Sequence, residues 1–297
     1  KHDITALGVK FDTPMRVGEP ATARCLILVT PDGERTMNTF LGAAQHLHVS
    51  DLDSDLIESA AILYLEGYLW DPEDPRAAME KAIAIAEKAI EQLIPQIKIG
   101  MTEKQVAAKL TQLQMEGGAD SIAFGPIVSA GPNSASPHAV PTERPLQSGD
   151  LLVIDWGCYV DGYPSDITRT FAVGEIEPEF KRIYEVVKLA NQQGKAVANS
   201  DTTGQDVDRA ARDVIEDAGY GQYFFHRTGH GLGLEVHEPP FMMEGNEEPL
   251  AVGNVFTVEP GIYLTGRGGV RIEDDLVITP DGHRSLTTFP RDLITVG

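Results

Sequence analysis

In Leu151-Leu152-Val153-Ile154-Asp155-Trp156-Gly157 a carboxylate follows four aliphatic residues of an expected core strand. Such a charge is expensive to bury unless something positive meets it. Eleven residues on, Ser165-Asp166-Ile167-Thr168-Arg169-Thr170 places a second aspartate in the next strand, and Asp161-Gly162 between them is a strong two-residue hairpin signal. If Val160 pairs with Tyr163, Gly157 stands opposite Asp166. Asp155 and Asp166 are then diagonal neighbours, their Cα atoms roughly 7–8 Å apart. The pattern recurs in Phe256-Thr257-Val258-Glu259-Pro260-Gly261 and in Gly269-Val270-Arg271-Ile272-Glu273, where Arg271 lies two positions earlier on the same face. Between these pairs Gly229-His230-Gly231 lets the backbone bring an imidazole into a tight site. Any one of these residues alone has an ordinary explanation, as a hairpin end, a turn residue or a hydrogen-bonded core histidine. Together, Asp155, Asp166, His230, Glu259 and Glu273 form an oxygen-rich set suited to two hard or borderline divalent cations such as Mn²⁺, with Co²⁺ and Zn²⁺ as alternatives. The dications would also neutralise the buried carboxylates.

Several elements must position these groups. Before residue 77, ATARCLILVT and ERTMNTFLG are β-rich runs joined by Pro31-Asp32-Gly33, a short helix is expected at 53–59, and AAILYLEGYLW reads as a buried strand. Residues 71–75 mark a turn. Helices are expected over 76–94, ended by Pro95, then from Thr102-Glu103 to about Met115, and over 177–200 and 203–218. Residues 122–174 and the stretch after Gly219 read as short strands with Gly/Pro turns. Helical runs beside strand runs give an α+β class for the C-terminal part. The glycines of Gly266-Arg267-Gly268-Gly269 read as a turn, not a phosphate cradle.

Composition narrows the partners. The 297 residues carry a formal charge of −21, which repels phosphate backbones and argues against nucleic acid. No apolar run approaches the roughly 18 residues of a membrane span, and the first twenty residues lack the apolar core of a signal peptide. Cys25 and Cys158 lie in apolar strand-like runs and are expected to be buried reduced thiols of a cytoplasmic protein.

From about residue 85 to 297 the sequence resembles the pita-bread metallopeptidases, through GPNSASPHAVPT, LLVIDWG, YPSDITRTF, FHRTGHGLGLEVHEPP, FTVEPGIY and GRGGVRIEDD in order. The resemblance implies a pita-bread catalytic domain over 77–297 with metal ligands Asp155, Asp166, His230, Glu259 and Glu273. It implies that His138 contacts the substrate or the leaving nitrogen, that His237 stabilises the tetrahedral intermediate, and that Glu259 shuttles a proton. His226, with Arg271, points to the proline-specific branch. The implied reaction is hydrolysis of the peptide bond before proline, in an Xaa-Pro dipeptidase or aminopeptidase, by a bridging hydroxide at a dinuclear site. The alternatives are a same-fold enzyme acting on a small non-peptide substrate, or a non-catalytic binding module. His2, His46, His48 and His283 fall outside every motif.

Residues 1 to about 88 resemble instead part of an adenosine-kinase-like member of the ribokinase type. The join is expected within 77–89, where both families carry an Ala-rich helix. The chain thus reads as a chimera: a non-catalytic α/β fragment over 1–76 precedes the peptidase domain. Strands taken from a parent sheet leave unpaired edges, so a homo-oligomer, most simply a dimer, is expected.

Overall fold

The structure, a computed structural model, describes residues 6–8, 24–29, 35–40 and 75–297. The chain divides into two units, Lys1–Glu73 and Asp74–Gly297.

In the first unit β1 (Arg24–Val29) and β2 (Arg35–Phe40) pair antiparallel, from Arg24 opposite Phe40 to Val29 opposite Arg35. Cys25 is exposed, which corrects the expectation that both cysteines are buried. The reason is layering. An apolar strand is buried only where a second layer covers it, and every residue of β1 is exposed. The expected turn at 31–33, helix at 53–59, strand at 60–70, turn at 71–74, and His2, His46 and His48 lie outside the described residues.

The second unit opens with α1 (Pro75–Leu93), whose Met79, Ala82, Ile83, Ala86, Ala89, Ile90 and Leu93 form one buried stripe at helical spacing. A 3₁₀ turn, Ile94–Gln96, follows and contains Pro95. Thr102 caps α2 (Glu103–Glu116) in a reciprocal box with Gln105. The strands β3 (Ser121–Ile122), β4 (Ile127–Ala130), β5 (Leu151–Trp156), β6 (Cys158–Val160), β7 (Tyr163–Pro164) and β8 (Ile167–Val173) come next.

Asp161 and Gly162 both take positive φ, 51° and 83°, as a type I′ hairpin turn demands. The expected register holds on both sides of it. Val160 faces Tyr163, and farther along the same hairpin Trp156 faces Ile167 and Asp155 faces Thr168. Alternation then sorts the side chains of β5. Leu152, Ile154 and Trp156 enter an apolar cluster with α1 and α2, while Leu151 enters a second cluster with the helices described next. Asp155 shares the face of Leu151. The Trp156 indole donates to the Ala86 carbonyl of α1 at 2.9 Å, and buried Cys158 donates to the Ala82 carbonyl at 3.3 Å. The sheet order is β16-β8-β5-β4, where β16 is Thr295–Val296.

After β8 come α3 (Pro178–Val197) and α4 (Gly204–Asp217), the latter capped by Thr203 and Asp206. Seven further strands precede β16: β9 (Gly229–Gly231), β10 (Glu238–Met242), β11 (Val255–Val258), β12 (Gly261–Leu264), β13 (Gly268–Arg271), β14 (Asp274–Thr279) and β15 (Gly282–Ser285), which closes the edge. They form a sheet of order β10-β9-β11-β14-β15 and a β12–β13 hairpin. Gly266, at φ 75°, turns that hairpin, so the local glycines make a turn as expected. A single bridge, Thr168 to Glu273, joins the two sheets. Among the described residues no helix is long and apolar enough to cross a membrane.

Candidate metal centre

The five acidic and histidine residues are far apart in sequence and converge in space. Asp155 is the penultimate residue of β5, Asp166 precedes β8, His230 is the middle of β9, Glu259 follows β11, and Glu273 precedes β14. Ligand atoms of Asp155, Asp166 and Glu273 all lie within 4.8 Å of one another, as do those of His230, Glu259 and Glu273. His237 also comes within that distance of Asp166 and His230. Its ring meets the His230 ring edge-on at a centroid distance of 4.1 Å. The residues line a cavity of about 710 Å³, which His138, His226, Arg227 and Arg271 also line.

Local structure explains how β9 can hold an imidazole here. A Cβ on Gly229 would stand 1.9 Å from the Thr257 carbonyl oxygen, and one on Gly231 would stand 2.3 Å from that of Pro239. Only glycine lets β9 lie between its neighbours. Thr257 Oγ1 accepts from the His230 backbone N–H at 3.1 Å. His230 Nδ1 donates to the Gly231 carbonyl at 3.1 Å, which leaves the lone pair on Nε2. That lone pair faces Asp166 Oδ2 at 3.6 Å and Glu259 Oε1 at 3.5 Å.

These contacts test whether cations fit. Burial, then the charge of His237, lowers the His230 imidazole to about 3, so it is neutral. A neutral nitrogen lone pair aimed at two carboxylates gains nothing unless a proton or a cation lies between them. Donor atoms about 2.1 Å from one cation stand roughly 3.0–3.4 Å apart, close to the spacing seen. Asp155 supplies the second sign: its Oδ1 is buried and has no hydrogen-bond partner among the described residues. Burial pushes Glu259 up to about 8. Burial and the neighbouring carboxylates raise Asp166 and Glu273 well above the usual range. The donor set is oxygen-rich, buried and under-compensated, and it fits divalent cations.

The buried cation Arg271 is already committed. Arg271 Nη2 donates to Asp155 Oδ2 at 2.7 Å, Nε to Thr168 Oγ1 at 3.1 Å, and Nη1 to the Tyr263 hydroxyl at 2.9 Å and the Pro137 carbonyl at 3.1 Å. Tyr263 in turn meets His226 Nε2 at 2.9 Å, and His226 Nδ1 donates to the Arg227 carbonyl at 2.7 Å. Burial and the Arg271 charge lower His226 to about 3. The Tyr263 hydroxyl therefore donates to a neutral ring.

Thr168, Thr257, Tyr263 and Arg227 belong to this site and were not singled out from the sequence. Thr168 had a usable signal: the predicted hairpin register places it opposite Asp155. Its hydroxyl donates to Glu273 Oε2 at 2.5 Å. Tyr263 had none, because its contacts with Arg271 and His226 are made only by folding. His283 lies away from the cluster, its Nδ1 bonded to the Ala198 carbonyl.

Known proteins resemble the chain in two parts. The family model described as metallopeptidase family M24 matches residues 77–280, and that of pfkB family carbohydrate kinases matches residues 1–112. The matches overlap over α1 and most of α2. An Xaa-Pro dipeptidase of Pyrococcus furiosus is 43% identical over 216 residues, covering 73% of this chain and 62% of that protein. The uncharacterized peptidase YqhT of Bacillus subtilis is 46% identical, covering 73% and 61%. The crystal structure of an X-Pro aminopeptidase from Thermotoga maritima superposes with a TM-score of 0.74 at 41% identity, covering 76% of this chain and 64% of that one. The chain spans about three-fifths of the length of such curated relatives.

Proposed function

The chain belongs to metallopeptidase family M24 and has its pita-bread fold, and from that premise we propose that it hydrolyses the peptide bond preceding proline. The observation that carries the reading is the convergence of Asp166, Glu259 and Glu273 on His230, beside a buried Asp155 whose Oδ1 has no hydrogen-bond partner among the described residues. Asp155, Asp166, His230, Glu259 and Glu273 would hold two divalent cations. Mn²⁺ is the favoured ion because four of the five donors are carboxylates. When bound, the cations supply Lewis acidity toward the scissile carbonyl and toward water.

The protein's own groups do the rest. Glu259, on the cavity wall, would accept a proton and return it to the leaving nitrogen. His138 and His237 line the cavity as donors to the oxygen on which negative charge develops. Arg271 anchors Asp155 and, through Tyr263, orients His226 on the cavity wall. The chain's first 76 residues are read as a non-catalytic fragment. Leu26, Ile27, Leu28 and Val29 of β1 are each more than half exposed, which supports a homodimer formed through that ribbon. A monodisperse monomer in light scattering would remove this part of the reading. The site of action is read as the cytoplasm.

The test is hydrolysis of Xaa-Pro dipeptides and tripeptides by chelated protein, then after Mn²⁺ is restored, beside Asp166→Ala. Metal-dependent cleavage lost in the variant is expected, and the preferred length separates dipeptidase from aminopeptidase. Two bound metals with no cleavage of any Xaa-Pro peptide would overturn the substrate and favour a small non-peptide amide.

A further inference from the structure

His138 stands on an arch, residues 131–142, in which Gly131 and Ser134 are buried and the stretch around His138 is not. His138 and Val140 are exposed, Val140 by 77%. Hollows of about 470 Å³ and 330 Å³ lie on the two sides, and Ala139 and Val140 line both. A catalytic donor on such a segment needs polar anchors to keep one position.

The anchor is a residue that no reading of the site includes. Glu103, the first residue of α2, is completely buried. Its Oε1 accepts from the Ala130 backbone N–H at 2.7 Å, just before the arch. Its Oε2 accepts from the Thr142 backbone N–H at 2.9 Å and from the Thr142 hydroxyl at 2.6 Å, at the other end. Asn133 Nδ2 reaches both oxygens, at 3.0 and 3.2 Å. One carboxylate therefore ties the two feet of the arch together, and the N-terminus of α2 favours its charge. Farther along, Arg271 donates to the Pro137 carbonyl, next to His138, while its other nitrogen holds Asp155. The arch is thereby clamped at its base and linked at its crown to the ligand cluster.

We propose that Glu103 is a positioning residue that sets where His138 stands over the cleft. This rests on the role given to His138 in the proposed function. Glutamine cannot replace the carboxylate. Whichever oxygen becomes an NH₂ group, either the Ala130 or the Thr142 backbone N–H is left facing a donor, and a backbone N–H cannot turn round to accept.

The experiment is a double-mutant cycle on the metal-loaded full chain, with Glu103→Gln, His138→Ala and both together. Misplacing a donor by about 1 Å costs on the order of 100-fold. Glu103→Gln should accordingly lower kcat by about 10- to 100-fold, with metal stoichiometry in calorimetry unchanged and KM little moved. In the His138→Ala background the same substitution should change kcat by less than about twofold. An equal loss in both backgrounds would overturn the proposal, since a merely structural residue acts additively. If Glu103→Gln does not fold, Thr142→Val keeps the carboxylate and removes one donor. Its loss of kcat should be smaller and should again vanish without His138; persistence there would also overturn the proposal. A wild-type protein without peptidase activity would sink the proposed function and not the clamp. Hydrogen exchange at the Ala130 and Thr142 amides then decides: accelerated exchange in Glu103→Gln supports the clamp, and unchanged protection overturns it.

Discussion

Glu273 and Asp274 are neighbours in sequence and both are fully buried, yet the protein treats their charges in opposite ways. Asp274 receives Arg169 at 2.7 Å and Lys195 at 2.6 Å. Burial pushes its carboxyl up, but those two cations overcome the effect and hold it below the ordinary value. Glu273 faces the other way, toward Asp155, Asp166 and Glu259. Burial and the charges of Glu259 and Asp155 push it well above the ordinary range, against the opposing charge of Arg271. One acid cluster is neutralised from within the chain. The other is left without matching cations of its own among the described residues, as the proposed metal site requires, and that asymmetry separates the two clusters more clearly than acid count does.

The contrast breaks if exchanging each acid for its amide has the same consequence. Glu273→Gln should reduce Mn²⁺-dependent peptidase activity by at least ~10³-fold, about 4 kcal/mol of transition-state stabilisation. The thermal midpoint of the metal-free protein at pH 8 should stay level or rise, because the amide spares the cost of burying that carboxylate or of holding its proton. Asp274→Asn should do the reverse. Losing this partner from the buried Arg169 and the partly buried Lys195 should cost about 3–5 kcal/mol in urea unfolding, while calorimetry on the folded variant still finds two metal sites. A variant of Asp274 that is as stable as the parent would show that the internal pairing has been misjudged.

A pH series sharpens the same contrast. The Glu259 carboxyl is raised from 4.5 to about 8 in the folded protein, so the metal-free native state holds protons that the unfolded chain releases. Its contribution is retained below the unfolded value and lost as pH rises through the folded one. His226 and His230, lowered to about 3, act oppositely, but only as pH falls below about 6.5. Between pH 6.5 and 8 the carboxyls alone matter, and metal-free stability should fall by about 2 kcal/mol for each excess proton. Saturating Mn²⁺ should flatten that slope, since cations replace the protons. A slope unaltered by metal, measured by scanning calorimetry, would mean that the titrating groups are not the ones that bind it.

Much of the site could be read from the residues because part of it is local. The Asp161-Gly162 turn and the two-residue strand period are properties of a short stretch, and they placed Asp155 beside Asp166 in the observed register. The helix stripes and the cap at Thr102 are equally local. The apolar run around Cys25 showed the limit, since its residues are exposed despite their apolar character. Glu103 showed it again. It occurs in an ordinary helix start, and its acceptors are spent on Ala130, Asn133 and Thr142, 27 to 39 residues away.

Residue types and short spacings therefore determined which groups were costly to bury and which strands would pair. Tertiary structure alone decided that β9 slides between β10 and β11 to present His230, and that Thr168 bridges to Glu273. It also decided that Arg271 is committed to Asp155 while Asp274 is paired with Arg169 and Lys195. The physical reason is range. A turn or a helix stripe is set by interactions over a few residues, whereas the partner of a buried charge is whichever group the packing of distant elements brings within about 3 Å.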